Sequence, residues 1–476
     1  MDLVPHRNAP PAAPYDLGHC FDEAYDADGR PREHYRDLLA ELATQDLDAL
    51  ERTVCNGVIE RGLEFAGPGG ASTAFTVDPV PRLISAEEWA ALDAGLAQRT
   101  RALHAFLVDS YGEQAIVGAG VVPAHAVTGA PGYEPDLVGA AEVITRSPLM
   151  AGFDVVRGHD GRFEVLEDNL RTPSGSAYAV SVNEIVADRV PGPTGAPQHD
   201  LRAACRAWLD FSLRGSGPRA DDSIALLSDG PTNSAWFEHT AIADLLGLPI
   251  VTLADLEVHG SELFAWVEGS RRRIDTLYRR TDDSRLRDEE GRQTALGEAL
   301  LRPWRDGRLT CVNGFGTGVA DDKLVHAYVE DMVRFYLGQE PMLRSVTTHD
   351  LGDPDVRSQA LARLTDLVVK PRFGHGGWGV VVCAHAEPSE LASLARRVNS
   401  EPERYIAQDL VMLSRHPTVA EGTLQPRHVD LRIFAVGRGE ECAVLPGGLT
   451  RYARAPGAMV VNSSQGGGAK DTRVLA

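Results

Sequence analysis

Lysine is almost missing from this chain. Among 476 residues only Lys323, Lys370 and Lys470 carry it, so all but three of the 47 basic residues are arginine. Either the three are chance survivors of a biased composition, or they stand where a compact ammonium is required. Their positions decide between the two. Cysteine is equally sparse and has no pattern. The six (Cys20, Cys55, Cys205, Cys311, Cys383 and Cys442) never form CxxC, which excludes a zinc site and a disulfide framework by spacing and reads as reduced cytosolic thiols. No run of eighteen apolar residues occurs, so no membrane span is expected. The start, MDLVPHRNAPPAAPYDL, lacks the apolar core of a secretory signal. Cytoplasmic location is the expectation. Positive charge is also short: 47 Lys plus Arg face 68 Asp plus Glu, for a net charge of −21. Phosphate backbones repel such a surface, so nucleic acid is excluded as a main partner. What remains, 43% hydrophobic and 24% charged residues, is the composition of a globular protein of roughly two to four domains.

Four regions are expected. Residues 1–30 begin Pro- and Ala-rich and read as a loose arm. Residues 31–220 open with a helical pattern from Pro31 to Tyr111, in which Ser85 and Glu88 have capping-box spacing. Trp89, Leu92, Leu96, Leu103, Phe106 and Leu107 then form one apolar stripe, a core face without chemistry. Later in that region two short strand-like runs, Phe153–Val156 and Phe163–Leu166, flank a Gly-His-Asp-Gly turn. Residues 221–345 show a βαβ-like rhythm: a buried-strand run SIALLS, a helix through Leu246, and a strand at Pro249–Leu253. Residues 346–476 read as strands broken by Gly and Pro turns.

Two clusters carry chemistry. Lys370-Pro371 ends a strand, and Gly374, Gly376, Gly377 and Gly379 follow within nine residues. Glycines let backbone N–H groups converge on phosphate oxygens, and a lysine adds a point charge. A P-loop places its lysine after the glycines and runs into a helix, as a Rossmann turn also does. Here the lysine comes first and Val380-Val381-Val382, a strand, follows. Both motifs are excluded, which leaves a phosphate-covering hairpin or a glycine hairpin without function. In the second cluster, LEDN, Glu167 and Asn169 share one face of a strand while Asp168 points the other way. Asp154 can face them as a hairpin partner. Two carboxylates and an amide oxygen suit Mg²⁺, which takes oxygen ligands and completes its shell with phosphates and water. The bland alternative is solvated acids at strand ends.

These residues carry a family resemblance. FDVV…FEVLEDNLRTPSG resembles the metal-binding strands of ATP-grasp ligases such as glutathione synthetase, and VVKPRFGHGGWG resembles their phosphate flap. Ordinary ATP-grasp enzymes have the flap first; here Asn169 precedes Lys370. The chain therefore resembles the circularly permuted ATP-grasp family (type 2, the glutathionylspermidine-synthase-like proteins). PRLISAEEW, NSAWFEHTAIADLLG, YRRTDD, NGFGTGVADDK, RHVDLRIFAV and PGGLTRYA also resemble that family's text.

The implied fold is multi-domain, α+β or α/β: a circularly permuted ATP-grasp with two lobes around a nucleotide and the βαβ-like region as a substrate domain. The implied cofactors are ATP and two Mg²⁺ ions. Lys370 would contact the phosphates and Gly376, Gly377 and Gly379 would cover them. Gln408, Asp409 and Leu410 would meet adenine. Asp154, Glu167 and Asn169 would hold the metal. Arg432, Arg451 and Lys470 would grip the transferring phosphoryl group, with Asn462 closing over it. Arg279, Arg280, Asp283 and Lys323 are substrate candidates, their alternative being a charged surface turn or a loop anchor. One family lysine has no counterpart between Leu324 and Val369; Arg344 or Arg357 substitutes, or the position is unused. The implied activity is ATP-dependent ligation of a small carboxylate, an amino acid or peptide, to an amine through an acyl phosphate. A nucleotide-binding subunit without catalysis and a small-molecule phosphotransferase are the alternatives.

Overall fold

Ser85 starts a helix as its spacing predicts. Its Oγ accepts from the Glu88 N–H at 3.3 Å and the Glu88 carboxylate accepts from the Ser85 N–H at 3.1 Å, a reciprocal cap. The structure, a computed structural model, describes residues 15–66, 72–190, 200–215, 223–281, 285–288, 290–374, 378–461 and 466–475. The stretch from Pro31 to Tyr111 is not helical throughout. Helices α1 (Arg36–Leu42) and α2 (Leu47–Glu60) are followed by a strand, β1 (Val77–Ile84), and then by the capped helix α3 (Ala86–Ser110). VDPVPRLI carries Pro79 and Pro81, which read as breakers. They are tolerated because β1 is the last strand of its sheet and its pairing register shifts beside them.

The expected hairpin is present as β2 (Leu149–Arg157) and β3 (Phe163–Asn169), antiparallel. Helices α4 (Ser176–Ala187) and α5 (Leu201–Arg214) follow. The next segment is a parallel sheet: β4 (Ile224–Ser228), helix α6 (Trp236–Leu246), β5 (Ile250–Val251), β6 (Thr276–Arg280) and β7 (Thr310–Val312), in spatial order β7-β6-β4-β5. After a short strand β8 (Arg344–Ser345) comes a small antiparallel lobe. It comprises β9 (Thr348–Asp350), α7 (Pro354–Ala362), β10 (Leu367–Pro371), β11 (Val381–Val382), α8 (Pro388–Ser400) and β12 (Tyr405–Asp409). Its strand order is β9-β12-β10-β11, over a core of its own formed by Leu367, Val369, Leu394, Val398 and Ala407. The chain ends with β13 (Arg415–Ala420), β14 (Thr423–Arg438), β15 (Glu441–Val444), β16 (Leu449–Tyr452) and β17 (Gly468–Val474).

Those last strands interleave with early ones in a nine-stranded sheet of order β8-β3-β2-β14-β16-β17-β1, with β13 and β15 also paired to β14. Along β14 the burial alternates between two cores. Ile433 and Ala435 pack with α3, Phe153 and Val155, whereas Phe434 and Val436 pack with α4, α5 and α2. Among the described residues no helix is long and apolar enough to cross a membrane. All six cysteines are unpaired.

The expected loose arm is anchored from Tyr15 onward, with residues 1–14 outside the described set. The Glu23 N–H donates to Arg415 O at 2.8 Å, and the Arg415 N–H donates back to Phe21 O at 2.8 Å. The Glu23 carboxylate is buried, accepting from Arg82 at 2.6 Å and from Ser414 Oγ at 2.5 Å, with Arg157 at 3.3 Å. Burial resists its ionisation, but Arg157 and Arg82 outweigh that and hold its carboxyl below the usual range. Glu23→Ala leaves two buried guanidinium groups short of an anion and is expected to lower stability by about 3–5 kcal/mol in urea denaturation. A folded carboxyl that titrates below its unfolded value stabilises above the unfolded pKa and loses that contribution as pH falls. The difference between wild type and Glu23→Ala is therefore expected to shrink below about pH 4.

Candidate functional site

β2 and β3 place the metal candidates side by side. Asp154 pairs with Glu167 and Gly152 with Asn169, and a register shift between Asp154 and Val155 leaves Leu166 as an extra residue that bends β3. Asp168, on the other face, is buried on Arg99 at 2.6 and 2.7 Å and on His326 Nδ1 at 2.6 Å. β14 lies against β2 with Arg432 opposite Asp154, and β16 lies against β14 with Arg451 opposite Asp430. The side chains follow that register. Arg432 donates both Nε and Nη2 to Asp154, at 2.7 and 2.9 Å, and Arg451 Nη2 reaches the same carboxylate at 3.0 Å while also holding Asp430.

The small lobe and the connection after β7 contribute two lysines. Lys323 Nζ lies 3.1 Å from Glu167 Oε1 and donates to Gly374 O at 3.0 Å. Lys370 Nζ donates to Gln408 Oε1 at 2.6 Å, and Gln408 Nε2 in turn donates to Leu166 O and Thr348 Oγ1, both at 3.0 Å. These groups line one cleft of about 480 Å³ where the large sheet, the small lobe and the parallel sheet meet. Its floor beside the small lobe is apolar, from Val368, Val382, Leu410, Val411, Leu413 and Val461.

The electrostatics are those of interleaved opposite charges. Burial resists ionisation of Asp154, but Arg432 and Arg451 prevail and hold its carboxyl well below the usual range. Burial also resists ionisation of Glu167; Lys323 and then Lys370 outweigh it and lower the carboxyl. Burial pulls the Lys370 ammonium down while Glu167 pushes it back.

The donor set fits a hard divalent ion. Asp154, Glu167 and Asn169 present oxygens to the cleft, and Asn169 Nδ2 donates to Gly152 O at 3.2 Å, which fixes the amide and leaves Oδ1 as an acceptor. Among the described residues no three His, Cys, Asp or Glu side chains form a metal cage. A site with two carboxylates needs ligand oxygens to complete it, which is how Mg²⁺ is commonly held beside phosphates.

Other expected residues fall elsewhere. Lys470 is not in the cleft. It is fully buried on β17, its Nζ bonded to the Asp78 carboxylate and to Pro417 O at 3.0 Å, and burial pushes it down to about 8 against Asp78. Its GGGAK context reads as a loop, but Gly468 to Lys470 are strand, where alternation turns the side chain inward. An acid within the apolar run VDPVPRLI was the available signal for a buried cationic partner. Arg279 also turns away, donating to Asn313 O and Gly314 O and stacking on Phe315, while Arg280, one residue on, faces the cleft. Asp409 lines the cleft and is held by His349 at 2.9 Å and Arg363 at 2.7 Å. Gly379 turns the hairpin with φ 73°; Gly374 and Trp378 rather than Gly379 line the cleft. Gly376, Gly377, Asp283 and Asn462 lie outside the described residues. Arg344 is on β8 and Arg357 binds Leu351 O; neither lines the cleft, where Lys323 is the second lysine.

Residues 81–453 match the family described as circularly permuted ATP-grasp type 2, and the chain belongs to that family. A protein of Frankia alni named "Putative glutamate–cysteine ligase 2-3" is 43% identical over 95% of this chain and 53% of its own length. An uncharacterised protein of Mycobacterium tuberculosis is 40% identical over 96% of this chain and 84% of its own. The chain spans about half the length of the two Frankia relatives it matches. A glutathione synthetase-like effector from Globodera pallida, solved in its apo form, shares the fold with a TM-score of 0.58 at 10% identity, over 91% of this chain and 99% of that one.

The lysines separate into two kinds. Lys470→Met is expected to lower stability by about 3 kcal/mol, because it strands a buried carboxylate, and to leave nucleotide affinity at the wild-type level. Lys370→Met is expected to do the reverse, weakening nucleotide binding about tenfold or more. Urea denaturation and calorimetric titration with a non-hydrolysable ATP analogue check both.

Proposed function

We propose, from its membership of the circularly permuted ATP-grasp type 2 family, that the chain is an ATP-dependent ligase joining a small carboxylate to an amine. The observation that carries this reading is the run of alternating charges Arg451–Asp154–Arg432 and Lys323–Glu167–Lys370 along one wall of the cleft. Each cation is a ready phosphate partner, and each acid freed from it is a metal ligand.

In this reading a carboxylate oxygen of the substrate attacks the γ-phosphorus of ATP, the bond to the β-phosphate oxygen breaks, and ADP leaves. The product is an acyl phosphate. The amine nitrogen then attacks the acyl carbon, phosphate departs with the bonding electrons, and the amine proton passes to solvent. A carboxylate is a poor electrophile, and phosphorylation supplies its leaving group. Arg432 and Arg451 neutralise charge on the transferred group, preorganised by strands and by Asp430. Lys370, aimed by Gln408, and Lys323, tied to the hairpin through Gly374 O, hold the phosphate chain. Asp154, Glu167 and Asn169 would hold Mg²⁺, which supplies charge neutralisation across the phosphates. No nucleophilic side chain is required.

The printed name of the Frankia relatives makes amino acids the first substrates to test. Hydroxylamine added to protein, ATP, Mg²⁺ and an amino-acid panel is expected to yield a hydroxamate by trapping the acyl phosphate. ATP turnover with no hydroxamate over that panel sinks the acyl-phosphate route in favour of simple phosphoryl transfer. Glu167→Gln keeps the size and loses the charge, and is expected to cut Mg²⁺-dependent turnover by on the order of 10²-fold or more.

A further inference from the structure

Past Arg432 the cleft continues to a second wall that the phosphate chemistry does not use. Arg432 Nη1 approaches Ser174 O at 3.4 Å, and the loop from Thr172 to Gly175 leads directly to that wall, built by the start of α6 and the end of β6. Most of its polar groups are already paired. The buried Glu238 carboxylate accepts from the Gly175 and Ala177 N–H groups at 2.8 and 3.0 Å, from Ser176 Oγ at 3.2 Å, and from Arg280 Nη2 at 2.8 Å. Arg280 Nη1 donates to Pro173 O at 2.6 Å. Asn233 is closed on its own turn through the Ala235 N–H and Asp229.

A side chain with an unpartnered ring nitrogen remains on this wall. His239 is 1% exposed, lines the cleft, and has its Nδ1 on Ser228 Oγ at 2.9 Å. Ser228 Oγ also accepts the Gly230 N–H at 3.0 Å; in the tautomer where it donates its own proton to Nδ1, the ring proton sits on Nε2, which has no partner among the described residues. Burial and then Arg280 push this imidazole down to about 3, so it is neutral at physiological pH. Beside it the N-terminus of the 11-residue helix α6 carries no side-chain cap, and Arg280 Nε is buried without a partner. An unpartnered ring nitrogen at the positive end of a helix, with the Glu238 carboxylate beside it already paired, favours an anionic acceptor. Phe75 and Tyr178, with ring centroids 5.2 Å apart, add an apolar side to the same end of the cleft.

We infer that this wall binds a second, non-reacting carboxylate of the substrate acid through His239 Nε2 and the N-terminus of α6, so that the acid is a small dicarboxylate. The carboxylate that is phosphorylated must lie beside Arg432 and Arg451, one loop away, which is why the group at His239 is a different one. The inference rests on the ligase reading and names the substrate class of that site.

Calorimetric titration of the full chain loaded with Mg²⁺ and a non-hydrolysable ATP analogue tests it. The probes are succinate, glutarate and L-glutamate, with butyrate, valerate and L-glutamine as the respective partners lacking one carboxylate. At least one diacid is expected to bind about tenfold or more tightly than its partner. His239→Phe is expected to erase that preference, with nucleotide affinity held within about twofold and the melting temperature unchanged. His239→Gln, which keeps an N–H, is expected to restore most of it. Failure of every diacid to bind, equal binding of diacid and partner, or a preference that survives His239→Phe overturns the inference while nucleotide still binds. Failure of the wild type to bind nucleotide overturns the ligase reading and this inference together. The comparison of diacid with partner on the wild type stands even where a variant misfolds.

Discussion

Asp154 sits between Arg432 and Arg451 because three neighbouring strands put it there. β2 pairs with β14 so that Arg432 is directly opposite the acid, and β16 pairs with β14 so that Arg451 arrives from the next strand. A slip of one residue in either pairing would turn those side chains to the far face of the sheet. The bidentate contact between Arg432 and Asp154 is thus both a consequence of register and a lock upon it. The acids and cations of the cleft neutralise one another across the site, so this concentration of buried charge is stable with no ligand bound. In the proposed ligase reading, exchange of partners, cation to phosphate and carboxylate to metal, would need no new side chain to enter.

That arrangement also explains how a permuted chain order produces an undivided site. The strands bearing Asp154 and Glu167 come early, and those bearing Arg432 and Arg451 come late, yet they are adjacent in one nine-stranded sheet. The small lobe is inserted between them in sequence and lines the same cleft, so that Lys370 as well as Lys323 acts electrostatically on Glu167. Gln408 ties the two parts together, since one side chain holds Lys370 and the Leu166 carbonyl of β3.

Much of this was legible where the signal is local. The capping-box spacing at Ser85 and Glu88 needs only one turn of helix, and the hairpin carrying Asp154, Glu167 and Asn169 shows its alternation within a few residues. The glycine hairpin after Lys370 could be told from a P-loop because the next residues are β-branched. Strand β1 was hidden by its two prolines, whose acceptability depends on lying at the edge of a sheet. Arg279 and Arg280 could not be separated by type, only by which face of β6 meets the cleft. His239 carried no signal at all: it reads as a helix residue until the end of β4 presents Ser228 to its ring.

The three lysines draw the line between the two kinds of information. The sequence by itself determined that ammonium groups are rare here, that one of them precedes a glycine hairpin, and that two acids and an asparagine share a hairpin face. Those are matters of composition and of contacts a few residues apart. Only the tertiary structure decided that Lys323 joins Lys370 in the cleft while Lys470 is buried on Asp78. A lysine's role depends on which carboxylate its ammonium feels most strongly, and here those carboxylates, Glu167 for Lys323 and Lys370 and Asp78 for Lys470, are 156, 203 and 392 positions away in sequence. Desolvation makes such pairing obligatory for a buried charge, and the tertiary fold chooses the partner.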